Sequence, residues 1–393
     1  MNIAMVHPHD IYSSFEPWTV RVVALAKTFA QKGHTVKIIY FPLSREPASL
    51  KEICPRVVAI PFCRRAGIHH LIFNIIKLWD IARWAEIIHI QKCFYHAAVP
   101  AIVSARLASK PLHYDWDDWE TKIFELSTSG GIFRNFIRAY INFLEIMIPK
   151  VVDTISVASV RLEQECKKRG IDEKRIFKAR VGADGEKFNP ALYGDSIKKR
   201  FSIRKPLVLY LGQLHGGQYV DLFIRAAYNL VYKHKREVFF MIVGDGYQAP
   251  VLKKFVSQLK LEDRIIFTGP VPHEEVPHYV GSADICVACF ERNEAVLCKS
   301  PLKIAEYMAS GKAIVASDVG EAAHMLKGAG LLTIPGDADS LAAGIVTLLD
   351  NERLRNELGK LARKRAEEEY NWDVTAANLL KAYNEAIRIQ QKR

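Results

Sequence analysis

Short, almost wholly apolar segments recur along this chain, separated by helical patterns, and they limit what it can fold into. In the first half they are NIAMVH, TVKIIYF, RVVAIPF, IIHIQ, PLHYDW and TISVAS; in the second they are PLVLYLG, VFFMIVG, RIIFTG, ICVAC, AIVAS and GLLTIP. A strand with one wetted face alternates apolar and polar residues. Most of these runs do not, so both faces are buried, which requires parallel sheets covered by helices on each side. The stretch from Thr19 to Gly33 reads as one such helix, closed by its glycine. The pattern runs through twice without a close internal sequence repeat, so the expectation is an α/β protein of two similar parallel-sheet domains rather than two copies.

A length of 393 residues suits two domains, each with its own core. The polar stretch NPALYGDSIKKRFSIRKP, broken by Pro and Gly, marks the boundary. The expected division is 1–190, 205–372 and a C-terminal amphipathic helix, 373–393, packing back toward the first domain. With 49% hydrophobic and 25% charged residues the chain is globular. The opening MNIAMVH lacks a basic leader region and reads as a first strand. No uncharged apolar run reaches the roughly 18 residues that a membrane-spanning helix needs. Seven scattered cysteines suggest reduced thiols and a cytoplasmic location. Cys286 and Cys289 form a C-x-x-C, but within a strand they point to opposite faces, and no second pair completes a zinc site. The net charge of +12 favours anionic partners. No aromatic-interleaved basic run points to nucleic acid.

In open parallel sheets, ligands sit beyond the carboxyl ends of the strands. In the second half the loops at those ends are YLGQLHGG, IVGDG, FTGPV and ASDVGE. Glycines let backbone approach a ligand closely. None has the spacing of a dinucleotide fingerprint or a P-loop, which argues against a dinucleotide dehydrogenase or a P-loop kinase. The stretch from Ser300 to Glu321, SPLKIAEYMASGKAIVASDVGE, adds a helix start to the same rim. Ser300 is expected as N-cap, Pro301 as the first helical residue and Gly311 as the left-handed residue past the end. Lys303 and Glu306 share a face. As a surface ion pair they would contribute about 0.2–0.5 kcal/mol. As a site, the free N–H groups and the lysine would hold an anion while the carboxylate takes sugar hydroxyls. The convergence of loops on one rim favours a nucleotide-bearing ligand.

The ordered segments VGADGEKFNP, YLGQLHGGQYVDLFIRAA, MIVGDGY, IIFTGPVPHEEVPHYVGSADI, SPLKIAEYMASGKAIVASDVG and YNW resemble the retaining glycosyltransferases of the two-Rossmann (GT-B) fold, most of all the group-4 family. The likeness covers nearly all of Val181 to Tyr383. It is looser in the first half, where KTFAQKGHTVKIIYF and YDWDDW match best. The resemblance implies two facing Rossmann-like domains with a cleft between them, and a nucleotide-diphosphate sugar bound mainly by the C-terminal domain. Glu306 matches the ribose-binding glutamate. Backbone at Ser300, Pro301 and Leu302 would approach the sugar and diphosphate, and the turn at Pro270 and Val271 the base. Gly212, Gly244 and Gly246 would line the rim.

The sequence departs from the family pattern at several positions. The arginine and lysine that usually grip the diphosphate correspond to Gln213 and Gln218. Cys298 stands eight residues before Glu306, where the family has a second glutamate, with Glu291 and Glu294 nearby. A Gly-Gly in the first loop corresponds to Glu16 and Pro17, and a frequent histidine corresponds to Asp117. Two readings follow. Either the cation has moved, to Lys303 above all or to Lys299 or His215, or the donor site has decayed and the chain is a non-catalytic scaffold or binding partner. Retention of Glu306 and the helix start favours the first.

The implied reaction transfers a sugar to an acceptor hydroxyl with retention, and stabilising charge on the leaving diphosphate is the main task. Helix N–H groups and Lys303 would do this, so no metal and no cofactor are expected; Asp115 and Asp117 form a D-x-D, but in the acceptor half. Asp117 and Asp118 either orient the acceptor or act as base, or they merely cap the next helix as DDWE. The segment from His69 to Glu86 is amphipathic, with Leu71, Ile72, Ile75, Trp79 and Ala82 on one face and His70, Asn74 and Lys77 opposite. It suits either core packing or a membrane-surface helix, as does Arg134 to Lys150. The partners expected are a nucleotide-sugar donor, a carbohydrate or lipid-linked sugar acceptor and, at the cytoplasmic membrane face, anionic lipid. An epimerase or phosphorylase on the same fold remains a rival. The base, the sugar and the linkage stay open.

Overall fold

The computed structural model describes every residue except 14–15, 17–18, 45–48, 66, 128–130, 192–193, 195 and 216–218. The chain forms two compact units, Met1–Arg180 with Trp372–Arg393, and Val181–Asn371. The first is built on an eight-stranded sheet: β1 (Asn2–Val6), β2 (Thr35–Tyr40), β3 (Lys51–Cys54), β4 (Val57–Pro61), β5 (Ile87–Gln91), β6 (Leu112–Trp116), β7 (Thr154–Val157) and β8 (Ile176–Lys178), in the order β3-β4-β2-β1-β5-β6-β7-β8. The second holds a six-stranded parallel sheet: β9 (Leu207–Leu211), β10 (Phe239–Val243), β11 (Ile265–Gly269), β12 (Ile285–Ala288), β13 (Ala313–Ser317) and β14 (Leu331–Thr333), in the order β11-β10-β9-β12-β13-β14.

Every apolar segment singled out in the sequence is a strand. Two further strands, β3 and β8, have no such signature: both are short edge strands with partly exposed residues. Edge strands can be half wetted and need no continuous apolar run; among the described residues β3 is also the one strand paired antiparallel, to β4. Between the parallel strands the order switches direction at β1/β5 in the first sheet and at β9/β12 in the second. The crevices beyond these switch points are where the topology itself makes room for a ligand.

The first unit carries a buried charge pair in its core. Arg21, on helix Val20–Gln31, donates through Nε and Nη2 to the two oxygens of Asp115 on β6 (2.7 and 2.9 Å). Ser156 of β7 donates to the same carboxylate (2.6 Å), and Arg21 also reaches the Ala179 carbonyl (2.8 Å). Burial alone would push the Asp115 carboxyl up; the Arg21 charge outweighs it and holds the carboxyl well below the usual range. The C-terminal helix Trp372–Gln391 completes this unit. Tyr383 and the His89 Nδ1 of β5 lie in hydrogen-bond contact (2.8 Å), and Asp373 pairs with Lys32 (2.7 Å).

Helix Ile68–Trp84 buries only part of its stripe: Ala82 is buried and Leu71 and Ile75 are half-buried, while Ile72 and Trp79 face outward. Asn74 faces inward and is bonded to the Cys63 backbone at both ends (3.2 and 2.8 Å), and Lys77 donates to the Pro61 carbonyl (2.7 Å). Ile68, Ile72, Phe73, Ile76 and Trp79 are exposed instead, Ile68 by 69%. The polar groups turn inward because they close the β4 exit loop, while Leu78, Ile81 and Ala82 of the same helix pack into the core. Among the described residues no helix is long and apolar enough to cross a membrane.

Replacing Asp115 by Ala leaves the Arg21 guanidinium buried without its carboxylate. The expected loss is about 3–5 kcal/mol of unfolding free energy, read by urea titration.

Candidate functional site

In the second unit, helix Leu302–Ala309 is tied to the end of β9: the Leu211 N–H donates to the Tyr307 hydroxyl (2.8 Å). This sets the helix start beside the loop that follows β9. The start itself differs from expectation by one residue. Pro301, with an extended ψ of 109°, is the N-cap, and no side chain caps the helix. Ser300, expected as the cap, instead accepts the Val181 N–H through Oγ (3.2 Å). The far end is as the sequence suggests. Gly311 has φ +62°, its N–H meets the Met308 carbonyl (2.9 Å), and the Lys312 N–H meets the Tyr307 carbonyl (3.1 Å), which is the Schellman pattern.

Glu306 is not half of a surface ion pair. It is 3% exposed, and its Oε1 takes a hydrogen bond from His273 Nε2 (2.8 Å). That bond and the carboxylate charge outweigh burial and raise the His273 pKa. Lys303 turns to Tyr210 of β9, donating to its hydroxyl (2.9 Å) with the ammonium 4.1 Å from the ring centroid. Burial, aided by Lys299, pushes this amine down to about 7. His215, a candidate substitute cation, is pushed down to about 4 by burial and then by Lys299 and Lys303, so it is neutral at neutral pH. Gln213 is half-buried in the loop after β9, and Gln218 lies outside the described residues. Pro270 and Val271 belong to the turn after β11 that carries His273 to Glu306. Leu302 is the first residue of the helix.

The glycines also let the loops approach one another. A Cβ on Gly244 would lie 2.1 Å from the Gly212 carbonyl oxygen, and one on Gly246 2.3 Å from that of Leu214. The Gly212 N–H bonds the Val243 carbonyl and the Leu214 N–H bonds that of Asp245 (2.9 Å each). These two glycines let the loops after β9 and β10 pack on one another. Gly212 admits the lysine: its absent Cβ would stand 2.8 Å from Lys303 Nζ.

In the first unit the carboxyl ends of β1, β5 and β6 carry a polar cluster that the sequence reading only half found. Asp117 accepts from Gln91 Nε2 (2.7 Å), and Gln91 Oε1 contacts His7 Nδ1 (2.9 Å). Lys92, directly after β5, sits 2.5 Å from Glu120, 3.3 Å from Asp118 and 3.5 Å from Asp117. Burial pushes Glu120 up to about 7 and raises Asp117. The carboxylates of Asp117, Asp118 and Glu120 lie close enough to share a cation; the Lys92 ammonium is the cation among them. Asp117 and Asp118 do not cap the helix Glu120–Ser127. Glu145, from helix Ile132–Val151, does, accepting the N–H groups of Glu120 and Thr121 (2.8 and 3.0 Å). Glu16 binds Arg64 through both oxygens (2.8 and 2.9 Å) and also meets His9 (2.8 Å). Its neighbour Pro17 lies outside the described residues.

The family model of glycosyl transferases group 1 matches residues 195–365, and that of glycosyltransferase family 4 matches 19–183. The chain belongs to glycosyltransferase family 4. This glycosyltransferase is 24% identical over 397 residues to a phosphatidyl-myo-inositol mannosyltransferase of Mycolicibacterium smegmatis, covering 98% of this chain and 93% of that one. It is 26% identical to an alpha-D-kanosaminyltransferase of Streptomyces kanamyceticus, and there it spans about half (48%) of that relative's length. Among solved structures it resembles a sucrose-phosphate synthase of Thermosynechococcus elongatus (TM-score 0.74, 18% identity, 99% of this chain and 100% of that one). It also resembles HepE of Anabaena, solved with UDP and glucose (TM-score 0.73, 15% identity, 97% and 98%). These neighbours share the GT-B fold.

Two residues of the site escaped the sequence reading. His273 stood two positions beyond the Pro270–Val271 turn in GPVPHEE, and Lys92 stood where the apolar run IIHIQ ends at the switch point. Replacing Glu306 by Ala should drop the His273 pKa below its ordinary 6.5, since burial then acts without the carboxylate. A histidine-resolved NMR titration reads this directly.

Proposed function

We propose that this glycosyltransferase moves a sugar from a nucleotide-diphosphate donor to an acceptor hydroxyl, with retention and without a metal ion. The observation that carries the reading is the uncapped start of helix Leu302–Ala309 with the buried Glu306–His273 pair one turn along it. The N–H groups there and the Lys303 amine suit a diphosphate, and Glu306 suits the ribose. Lys303, near neutrality without ligand, gains its proton beside a diphosphate and supplies the charge that Gln213 lacks. Ser300, Pro301, Leu302, Gly212 and the Pro270–Val271 turn form the remaining wall. Asp117 and Asp118 orient the acceptor hydroxyl or take its proton. The neutral Gln213 is what favours the rival reading, a non-catalytic scaffold.

The acceptor is a lipid-linked sugar or a growing polysaccharide, and the protein works at the cytoplasmic membrane face. Two outward stripes support this. On helix Ile132–Val151, Ile132, Phe136, Tyr140, Phe143 and Met147 are exposed, Ile132 by 93% and Phe136 by 73%. Ile68, Ile72, Ile76 and Trp79 form the other stripe. Arg134 and Arg138 flank the first and Arg83 lies over Trp79, 5.7 Å from its ring. An apolar stripe with a basic edge fits the interface of an anionic bilayer.

A thermal-shift panel of UDP-, GDP- and ADP-sugars tests the donor. One donor should raise Tm, and Glu306→Ala should abolish both the shift and slow donor hydrolysis. Lys303→Ala should weaken UDP or GDP about tenfold or more, the scale of one charge-assisted contact. Lys312→Ala should not, because that lysine binds the Gly281 carbonyl. No shift with any donor, in the presence of acceptor lipid, would leave the scaffold.

Vesicle co-sedimentation tests the surface. Binding to anionic vesicles should weaken with salt, and Phe136→Asp should cut it about tenfold or more, since a buried Phe contributes roughly 1.5–3 kcal/mol.

A further inference from the structure

We propose that Lys92 is a positioning residue: its buried ammonium serves as the built-in cation of the Asp117–Asp118–Glu120 cluster and holds Asp117 ready to accept a hydrogen bond from an acceptor hydroxyl. The inference rests on the reading of Asp117 as an acceptor-orienting group and adds what holds it.

Three observations support it. First, the Lys92 side chain is 4% exposed and lies within ion-pair distance of all three carboxylates. Their ligand atoms are close enough together to take a divalent cation, and the ammonium already stands among them. Second, the backbone accepts an uncommon conformation to put it there: Lys92 has φ +65°, a region that side chains other than Gly, Asn and Asp seldom adopt. Third, the two oxygens of Asp117 are treated differently. Oδ2 takes the Gln91 amide (2.7 Å), whose own oxygen is fixed by His7 (2.9 Å). Oδ1 is buried and makes no hydrogen bond among the described residues, its nearest charge being Lys92 at 3.5 Å. A carboxylate anchored by one oxygen, with the other unsatisfied beyond a strand end, has a place for one donor.

The charged and titratable groups around the cluster are His7 and His9 beyond β1, Arg21 on helix Val20–Gln31, Asp115 and Tyr114 on β6, Cys93 beside Lys92, and Glu145 on helix Ile132–Val151. Burial lowers the pKa of His7 and of His9, His9 faces Glu16 (2.8 Å), and Arg21 is matched by Asp115. Lys92 is therefore the cation that offsets the three carboxylates. Without it the folded pKa values of Asp117 and Glu120, already raised by burial, rise further. A group with a raised folded pKa loses stability as pH climbs through that value.

The test compares wild type, Lys92→Met and Lys92→Arg by thermal unfolding at about pH 5 and about pH 8, on either side of the Glu120 value near 7. The Tm deficit of Lys92→Met should be at least about twofold larger at the higher pH, because there the carboxylates are charged. Lys92→Arg, which keeps the cation, should show an equal deficit at both. Mn²⁺ should raise the Tm of Lys92→Met at the higher pH and leave wild type unmoved. A deficit of Lys92→Met that does not depend on pH would make Lys92 a packing residue. A Mn²⁺ shift in wild type would make the cluster a metal site; that measurement stands even if Lys92→Met does not fold. In donor hydrolysis, Lys92→Met should lower kcat and leave the donor KM unchanged. Wild type that turns over no donor would overturn the transferase reading, while the Tm comparison still decides the role of Lys92.

Discussion

The first unit is organised around one ionic contact, the two-pronged grip of Arg21 on Asp115. Taking both charges out of water is costly and is offset because both groups make further hydrogen bonds. The guanidinium also binds the Ala179 and Arg180 carbonyls, and the carboxylate takes Ser156. A helix, two strands and the end of the first chain segment are thereby fixed to a single point. Thr375 of the C-terminal helix donates to the same Arg180 carbonyl (2.9 Å), so the returning chain is held there too. Because Asp115 is pinned, the register of β6 is pinned. Asp117 then emerges at the strand end beside Lys92.

The two units handle charge in opposite ways. The first gathers buried and half-buried carboxylates and matches each with a cation: Asp115 with Arg21, Asp117, Asp118 and Glu120 with Lys92, and Glu16 with the half-buried Arg64. The second offers backbone dipoles at a helix start and one amine held near neutrality. A site of the first kind suits holding and moving a proton. A site of the second kind suits a ligand that brings its own negative charge.

Glycine illustrates how one residue type serves unlike ends. Gly244 and Gly246 were legible as points of close approach, but the approaching group is the neighbouring loop's own backbone. The physical requirement, absence of Cβ, is the same whether a ligand or a carbonyl comes near. A single sequence therefore cannot separate the two. Glu145 makes a similar case. Within an apolar run it resembles an interruption, yet it is the cap of another helix, and a cap supplied from a distant element leaves no local pattern.

The sequence by itself determined the parallel-sheet architecture, the strands that carry apolar runs and the glycine that ends helix Leu302–Ala309. These depend on local patterns: apolar runs, turn residues and helical spacing. The edge strands β3 and β8 were hidden because KEIC and IFK are short, partly exposed and carry no continuous apolar run. The tertiary structure alone decided which groups pair. His273 with Glu306, Lys303 with Tyr210, Lys92 with three carboxylates and Ser300 with Val181 join positions from 25 to 119 residues apart. It also decided which face of helix Ile68–Trp84 looks outward. Hydrogen bonds and charges act over a few ångströms of space, and only the folded sheet brings such positions within that range.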